Sequence, residues 1–190
     1  MGDVGSGTVI ADKYRLDEHI GQGGMATVWR ATHLSLGSSV AVKLLDVSGA
    51  KAARLRERFE REAKLAANIK HRNIVDILDF GLHDENHPYM VMELLAGESL
   101  GDRLAGETAI TDAELFDIAA QVLSGLAAAH DAGIVHRDVK PDNVFLVRDA
   151  DGVYPKLLDF GISRNVTPGK NDTRVTSTGV LVGTPLYMSP

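Results

Sequence analysis

Residues 136–143 read His-Arg-Asp-Val-Lys-Pro-Asp-Asn, and residues 159–161 read Asp-Phe-Gly. Asp138 offers a carboxylate that can take a proton from an attacking hydroxyl. Asn143 and Asp159 offer oxygen donors of the kind Mg²⁺ accepts, and Lys140 offers a positive charge for a transferring phosphate. Together these groups suit phosphoryl transfer, a chemistry of positioning and charge neutralisation. Either string alone is short enough to arise by chance. Their order and the twenty-one residues from Asp138 to Asp159 carry the reading.

Two features upstream add to it. The run Ile20-Gly21-Gln22-Gly23-Gly24-Met25-Ala26-Thr27-Val28 joins two alternating apolar segments, and its small residues let backbone N–H groups approach phosphate oxygens. By itself this run is equally compatible with an ordinary hairpin turn. Val40-Ala41-Val42-Lys43 ends an apolar strand in a lysine whose ammonium is poorly solvated unless it meets an anion. Glu62, nineteen residues later on the inward stripe of a predicted helix, has the same problem with opposite sign and is the natural partner. Taken singly, a lysine snorkelling from a strand end and a solvated helix glutamate are both ordinary.

The elements that must position these groups can be read from periodicity. Tyr14 to Gly21, Thr27 to His33 and Ser39 to Leu45 read as strands, with glycine- and serine-rich turns between them. A helix of about 17 residues follows, with Leu55, Phe59, Ala66 and Ile69 at helical spacing. Asp76 to Gly81 and Tyr89 to Leu94 read as two further strands around a polar loop over 83–87. After Gly97 the pattern changes class. Thr111 with Glu114 forms a capping box, Leu115, Ile118, Val122, Leu126 and Ala129 form one helix face, and Gly133 ends it. Strands first and helices later imply two lobes, with a cleft at the junction near Glu93 to Gly97.

Composition narrows the class. The chain has 190 residues, 44% hydrophobic and 24% charged, enough to bury a core. Its net charge of −6 provides no global basic field for nucleic acid or an anionic membrane. There is no cysteine, which removes disulfides, thiolate zinc sites and thiol nucleophiles and agrees with a reducing, cytoplasmic setting. No apolar run reaches the roughly 18 residues of a spanning helix.

The strings together resemble the protein kinase family, and among its members the bacterial-type, eukaryotic-like serine/threonine protein kinases. The resemblance covers residues 14–190. It implies an α+β, two-lobed protein kinase-like fold, with a complete N-terminal β-rich lobe and an incomplete C-terminal helical lobe. A flexible tail over 1–12 would precede a kinase domain over 13–190, divided into an N-lobe (13–93), a hinge (94–97) and a partial C-lobe (98–190). The chain stops after Met188-Ser189-Pro190, where the family continues with glutamate, so the resemblance also implies that the domain is incomplete at this end.

By the same resemblance, ATP and Mg²⁺ are the small partners. Lys43 paired with Glu62 would position the α- and β-phosphates, beneath a loop containing Gly21 and Gly23. Ile20, Val28, Ala41, Leu95, Phe145 and Met92 as gatekeeper would enclose adenine, with Glu93 C=O and Leu95 N–H as hinge contacts. Asp138 would be the base, with Asn143 and Asp159 on the metal, and Lys140 resembles the form found in serine/threonine kinases. Arg137 marks kinases whose activation segment is ordered by phosphorylation, because a guanidinium binds a phosphothreonine bidentately. Thr176 and Thr178 are the matching phosphosites, modified in trans by another copy. Thr184 corresponds to the substrate-side threonine that bonds the catalytic aspartate and lysine. His136 corresponds to a packing residue under Phe160. One departure is Ala26, which stands where the family's loop usually has a third glycine.

Two functions follow as expectations. One is ATP-dependent phosphoryl transfer to serine and threonine hydroxyls of proteins, with self-association allowing phosphorylation in trans. The other, prompted by the missing C-terminal helices, is a catalytically incompetent nucleotide-binding or interaction module.

Overall fold

A computed structural model describes residues 4–23, 26–45, 52–84, 87–106, 109–150 and 152–159. The first lobe is one antiparallel sheet. Its strands are β1 (Val9–Ile10), β2 (Tyr14–Gln22), β3 (Ala26–His33), β4 (Ser39–Leu45), β5 (Ile77–His83) and β6 (His87–Glu93), in the spatial order β1-β2-β3-β4-β6-β5. One helix, α1 (Ala52–Ala67), follows β4.

Both faces of this sheet are covered at its centre, which explains why β4 and β6 read as nearly continuous apolar runs. Ala41, Leu45, Met90 and Met92 point to one face and pack with Phe59 and Ala63 of α1. Val40, Val42, Leu44, Tyr89 and Val91 point to the other, where they meet Ile10, Tyr14 and Leu16. The sheet curls until its opposite margins touch. The Tyr14 hydroxyl of β2 donates to Asp79 Oδ2 of the edge strand β5 at 2.8 Å. Burial, with this carboxylate beside it, pushes the Tyr14 phenol well above its usual value, so it remains a donor.

Two expectations about this lobe are corrected. Ile10 has no exposed surface and β1 pairs with β2, so the fold begins within the segment read as a flexible tail over 1–12. A two-residue strand is too short to show periodicity, which is why it was not legible. The polar segment over 83–87 is strand at its two ends and not loop throughout: His83 closes β5 and faces His87, which opens β6. Asp84, with φ 54°, accepts from His87 N at 3.1 Å and closes the turn.

The second lobe begins with β7 (Gly97–Ser99), α2 (Leu100–Ala105) and α3 (Asp112–Asp131) and ends in the hairpin β8 (Val144–Asp149) and β9 (Gly152–Leu157). Strands β7, β8 and β9 form a second small sheet. Neither α2 nor this sheet was read from periodicity. Thr111 caps α3 as its side chain accepts from Glu114 N at 3.2 Å, and Gly133, at φ 75°, turns the chain out of the helix. Ile118 and Ala129 face the core with Leu100, Val144, Leu146 and Leu157. Leu115, expected on that face, lies in the first turn of α3 and is exposed instead.

Segment 73–76 joins the lobes by backbone. Val75 N donates to Leu157 O at 3.0 Å and Leu157 N to Asn73 O at 2.8 Å. The buried Asn73 side chain adds donations to Pro155 O at 2.8 Å and Gln121 Oε1 at 3.0 Å, tying β9 and α3 to the same short segment. No described helix is long and apolar enough to cross a membrane.

Candidate active site

The site lies where the two sheets meet, and its parts come from four stretches of chain. From the first lobe, β4 supplies Lys43, opposite Val28 of β3. Its alternation places Ala41 on the same face, opposite Met92 of β6. Lys43 is only 11% exposed. Its ammonium reaches Asp159 Oδ1 at 2.5 Å, so the residue just after β9 meets the first lobe's strand directly. The Asp159 side chain remains 41% exposed, open on its other side to solvent or a ligand.

The loop after α3 supplies the second group. His136 is 1% exposed. Its Nε2 lies 2.7 Å from Leu158 O, and Asp138 N donates to its Nδ1 at 3.3 Å. A carbonyl accepts and an N–H donates, so the ring is neutral with its proton on Nε2. Burial pushes the imidazole below its usual 6.5, outweighing the nearby carboxylates of Asp138 and Asp159. His136 is thus a hydrogen-bonded packing residue. Phe160, its expected neighbour, lies outside the described residues.

Pro141 starts a single 3-10 turn over Pro141–Asn143, where its lack of an N–H costs nothing. The turn buries Asn143, whose Nδ2 donates to Asp138 O at 2.8 Å, while Leu158 N donates to Asn143 O at 2.9 Å. With Nδ2 so occupied, the side-chain oxygen of Asn143 is left as its acceptor end. Lys140 is mostly buried and lies 3.6 Å from Asp142. Arg137 and Asp159 both have left-handed backbones, φ 63° and 49°. Such conformations are uncommon for residues bearing a side chain and persist where surrounding bonds hold them. Here the hydrogen bonds of His136, Asp138, Asn143 and Leu158 do so.

The remaining expected positions divide clearly. Ala41, Met92 and Leu95 meet at one apolar cluster on the cleft side of the first sheet. Gly21 pairs with Val28, and Gly23 N donates to Ala26 O at 2.7 Å, so β2 and β3 stay bonded as far as these two residues. Ile20 beside it is half exposed. Phe145 of β8 pairs with Ser99 of β7 on the second lobe's side. Glu62 lies on α1, but its side chain, with Thr176, Thr178 and Thr184, is outside the described residues. Lys43 therefore meets Asp159 here, and its expected pairing with Glu62 is neither seen nor opposed.

A divalent cation would find two oxygen ligands, Asp159 and Asn143, within a bonded frame. Among the described residues no cluster of three His, Asp or Glu side chains could hold a metal without further ligands. Two protein oxygens completed by phosphate and water suit Mg²⁺, so the donor set fits it.

Sequence reasoning missed two residues of this region. Lys156 is buried and its ammonium bonds the Glu93 carboxylate at 2.6 Å. Asn73 joins the lobes. The available signal for Lys156 was a lysine amid Pro155, Leu157 and Leu158, the pattern that drew attention to Lys43.

Comparison with known proteins bears on family and fold. Residues 14–190 match the protein kinase domain family. The chain is 40% identical to serine/threonine-protein kinase pkn3 of Myxococcus xanthus, over 97% of this chain and 34% of that protein. It is 42% identical to a probable serine/threonine-protein kinase PknB of Corynebacterium glutamicum, over 96% of this chain and 28% of that one. The chain thus spans about a third or less of these relatives' lengths. A crystal structure of the Mycobacterium tuberculosis PknI kinase domain superposes with a TM-score of 0.73 at 29% identity, covering 85% of this chain and 64% of that one. With a family model matched from β2 to the last residue and relatives of 40–42% identity over nearly the whole chain, the chain belongs to the protein kinase domain family.

Proposed function

We propose that this chain binds Mg-ATP between its lobes and transfers the γ-phosphoryl group to serine or threonine hydroxyls of proteins. The observation that carries the reading is the contact of Lys43 with Asp159, which unites the two halves of the site. Lys43 would hold the α- and β-phosphates, and Asp159 with Asn143 would hold Mg²⁺, which would supply charge neutralisation. Asp138 would accept the proton of the attacking hydroxyl. The hydroxyl oxygen bonds to the γ-phosphorus as the bond from that phosphorus to the bridging oxygen breaks, and ADP leaves. Lys140 would balance charge on the transferred group. Ile20, Val28, Ala41, Met92, Leu95 and Phe145 would enclose adenine, with hinge bonds from Glu93 C=O and Leu95 N–H. A cysteine-free chain using ATP accords with a cytoplasmic setting.

The test is transfer of labelled γ-phosphate to a protein acceptor. Asp138→Asn should lower kcat by about 10²- to 10⁴-fold with KM for ATP nearly unchanged; labelling equal to that of the original chain would refute the reading. Activation belongs to the same proposal: Thr176 and Thr178 receive phosphate from a second copy, and Arg137 binds it. Phosphate mapped to these threonines on an Asp138→Asn copy mixed with the active chain, and absent from that copy incubated alone with Mg-ATP, is the expected result.

A second reading, nucleotide binding without turnover, draws on the exposure of Leu115, Phe116 and Leu123 along α3, with Phe116 at 74%. A thermal shift with Mg-ATP in the absence of any transfer would favour it, and measurable turnover would remove it.

A further inference from the structure

Lys156 is a lysine with 6% of its surface exposed, set between the buried residues Pro155 and Leu157 of β9. An ammonium in that position demands an anion and hydrogen-bond acceptors. It has both: Nζ lies 2.6 Å from Glu93 Oε1 and 3.2 Å from Ile74 O. The same Glu93 oxygen accepts from Asp76 N at 2.7 Å, and Glu93 N donates to Asp76 O at 3.1 Å. Glu93 is the last residue of β6, where the chain leaves the large sheet for the connection to β7. Its side chain and backbone are therefore held from two directions, by β9 of the second lobe and by the segment ahead of β5.

The backbone of Lys156 is equally well placed. It pairs with Phe145 across β8 and β9, and three residues further on the chain reaches Asp159. One residue thus touches the end of β6 through its side chain and Phe145 through its main chain. These are the two sides of the slot assigned above to adenine.

We infer that Lys156 is a positioning residue for the adenine half of the site. By clamping the Glu93 carboxylate it sets the direction of the backbone over 93–95 and its spacing from Phe145, and so sets nucleobase affinity. The inference rests on the proposed ATP reading. Its energetic basis is the asymmetry of partly buried pairs: removing one member leaves the other charge uncompensated, while removing both is nearly neutral.

The test is calorimetric titration of the purified chain with adenosine and separately with Mg-ATP, below the unfolding transition of every variant. Lys156→Met should weaken both ligands by the same factor, about tenfold, since each carries the same base. Lys156→Arg should stay within about threefold of the original chain, and Glu93→Gln with Lys156→Met together should recover most of the loss. Equal affinity in Lys156→Met would overturn the inference. So would a loss confined to Mg-ATP, which would assign the effect to Asp159, or a fall in urea midpoint with no change in adenosine affinity, which would make the pair merely structural. If Lys156→Met does not unfold cooperatively, Glu93→Gln decides: its amide oxygen still accepts from Asp76 N, and about fivefold weaker adenosine binding is expected, equal binding being the refutation. Failure of the original chain to bind either ligand would remove the ATP reading itself, whereas binding that is indifferent to Lys156 removes only this role.

Discussion

Lys43 Nζ sits 2.5 Å from Asp159 Oδ1, across 116 residues of chain, and this contact joins the two lobes at the centre of the site. A mostly buried ammonium here meets a carboxylate that is itself 41% exposed.

Removing either partner should separate binding from folding. Lys43→Met is expected to lower phosphoryl transfer by about 10²- to 10³-fold, the usual loss for one preorganised charge acting on the reacting group. Asp159→Asn should lose activity comparably and also weaken dependence on Mg²⁺ concentration. Steady-state kinetics across a Mg²⁺ series checks both, and unchanged far-UV circular dichroism shows that the fold survives.

Asn73→Ala should destabilise the chain by about 1–3 kcal/mol, because Pro155 O and Gln121 Oε1 lose a buried donor. Urea unfolding would register this as a lower midpoint at constant slope. A change below about 0.5 kcal/mol would mean that the segment over 73–76 holds through its backbone alone.

Stability should fall as pH drops through 6.5, the usual histidine value, with a contribution from His136. The unfolded imidazole takes up a proton there, while the buried ring, its affinity depressed, does not. The unfolded state then binds more protons, so stability increases with pH between the depressed folded value and 6.5, with a slope of at most about 1.4 kcal/mol per pH unit from this one group. Urea midpoints at several pH values in that window, compared with those of His136→Phe, measure it. Asp17, held below the usual carboxylate range by bonds from Thr32 and Arg15, contributes in the same direction only at lower pH, as that carboxylate protonates.

Gly97→Ala should be costly at the junction of the lobes. Gly97 has φ 149°, and an added Cβ would stand 2.0 Å from Leu146 O, so β7 must leave β8 to admit it. A loss of about 2 kcal/mol or more in unfolding free energy is expected. Gly133→Ala, also at positive φ but with nothing near its Cβ, should cost less.

The amino-acid sequence by itself determined the strings that carry the chemistry, and the elements whose signals are local. Thr111 and Gly133 bound α3 because capping is settled within a few residues. The runs around Val40–Val42 and Met90–Met92 read as strands because a short apolar stretch bounded by turn residues is itself a local signal. Tertiary structure alone decided which buried polar groups meet. Lys43 and Lys156 look alike in sequence, each a lysine among apolar residues, yet one reaches Asp159 and the other Glu93. Tyr14 meets Asp79 only because the sheet curls. The physical reason is that desolvation tells a buried charge that it needs a partner, a requirement local enough to read. The identity of that partner depends on how elements distant in the chain cross, and no spacing along the chain encodes it.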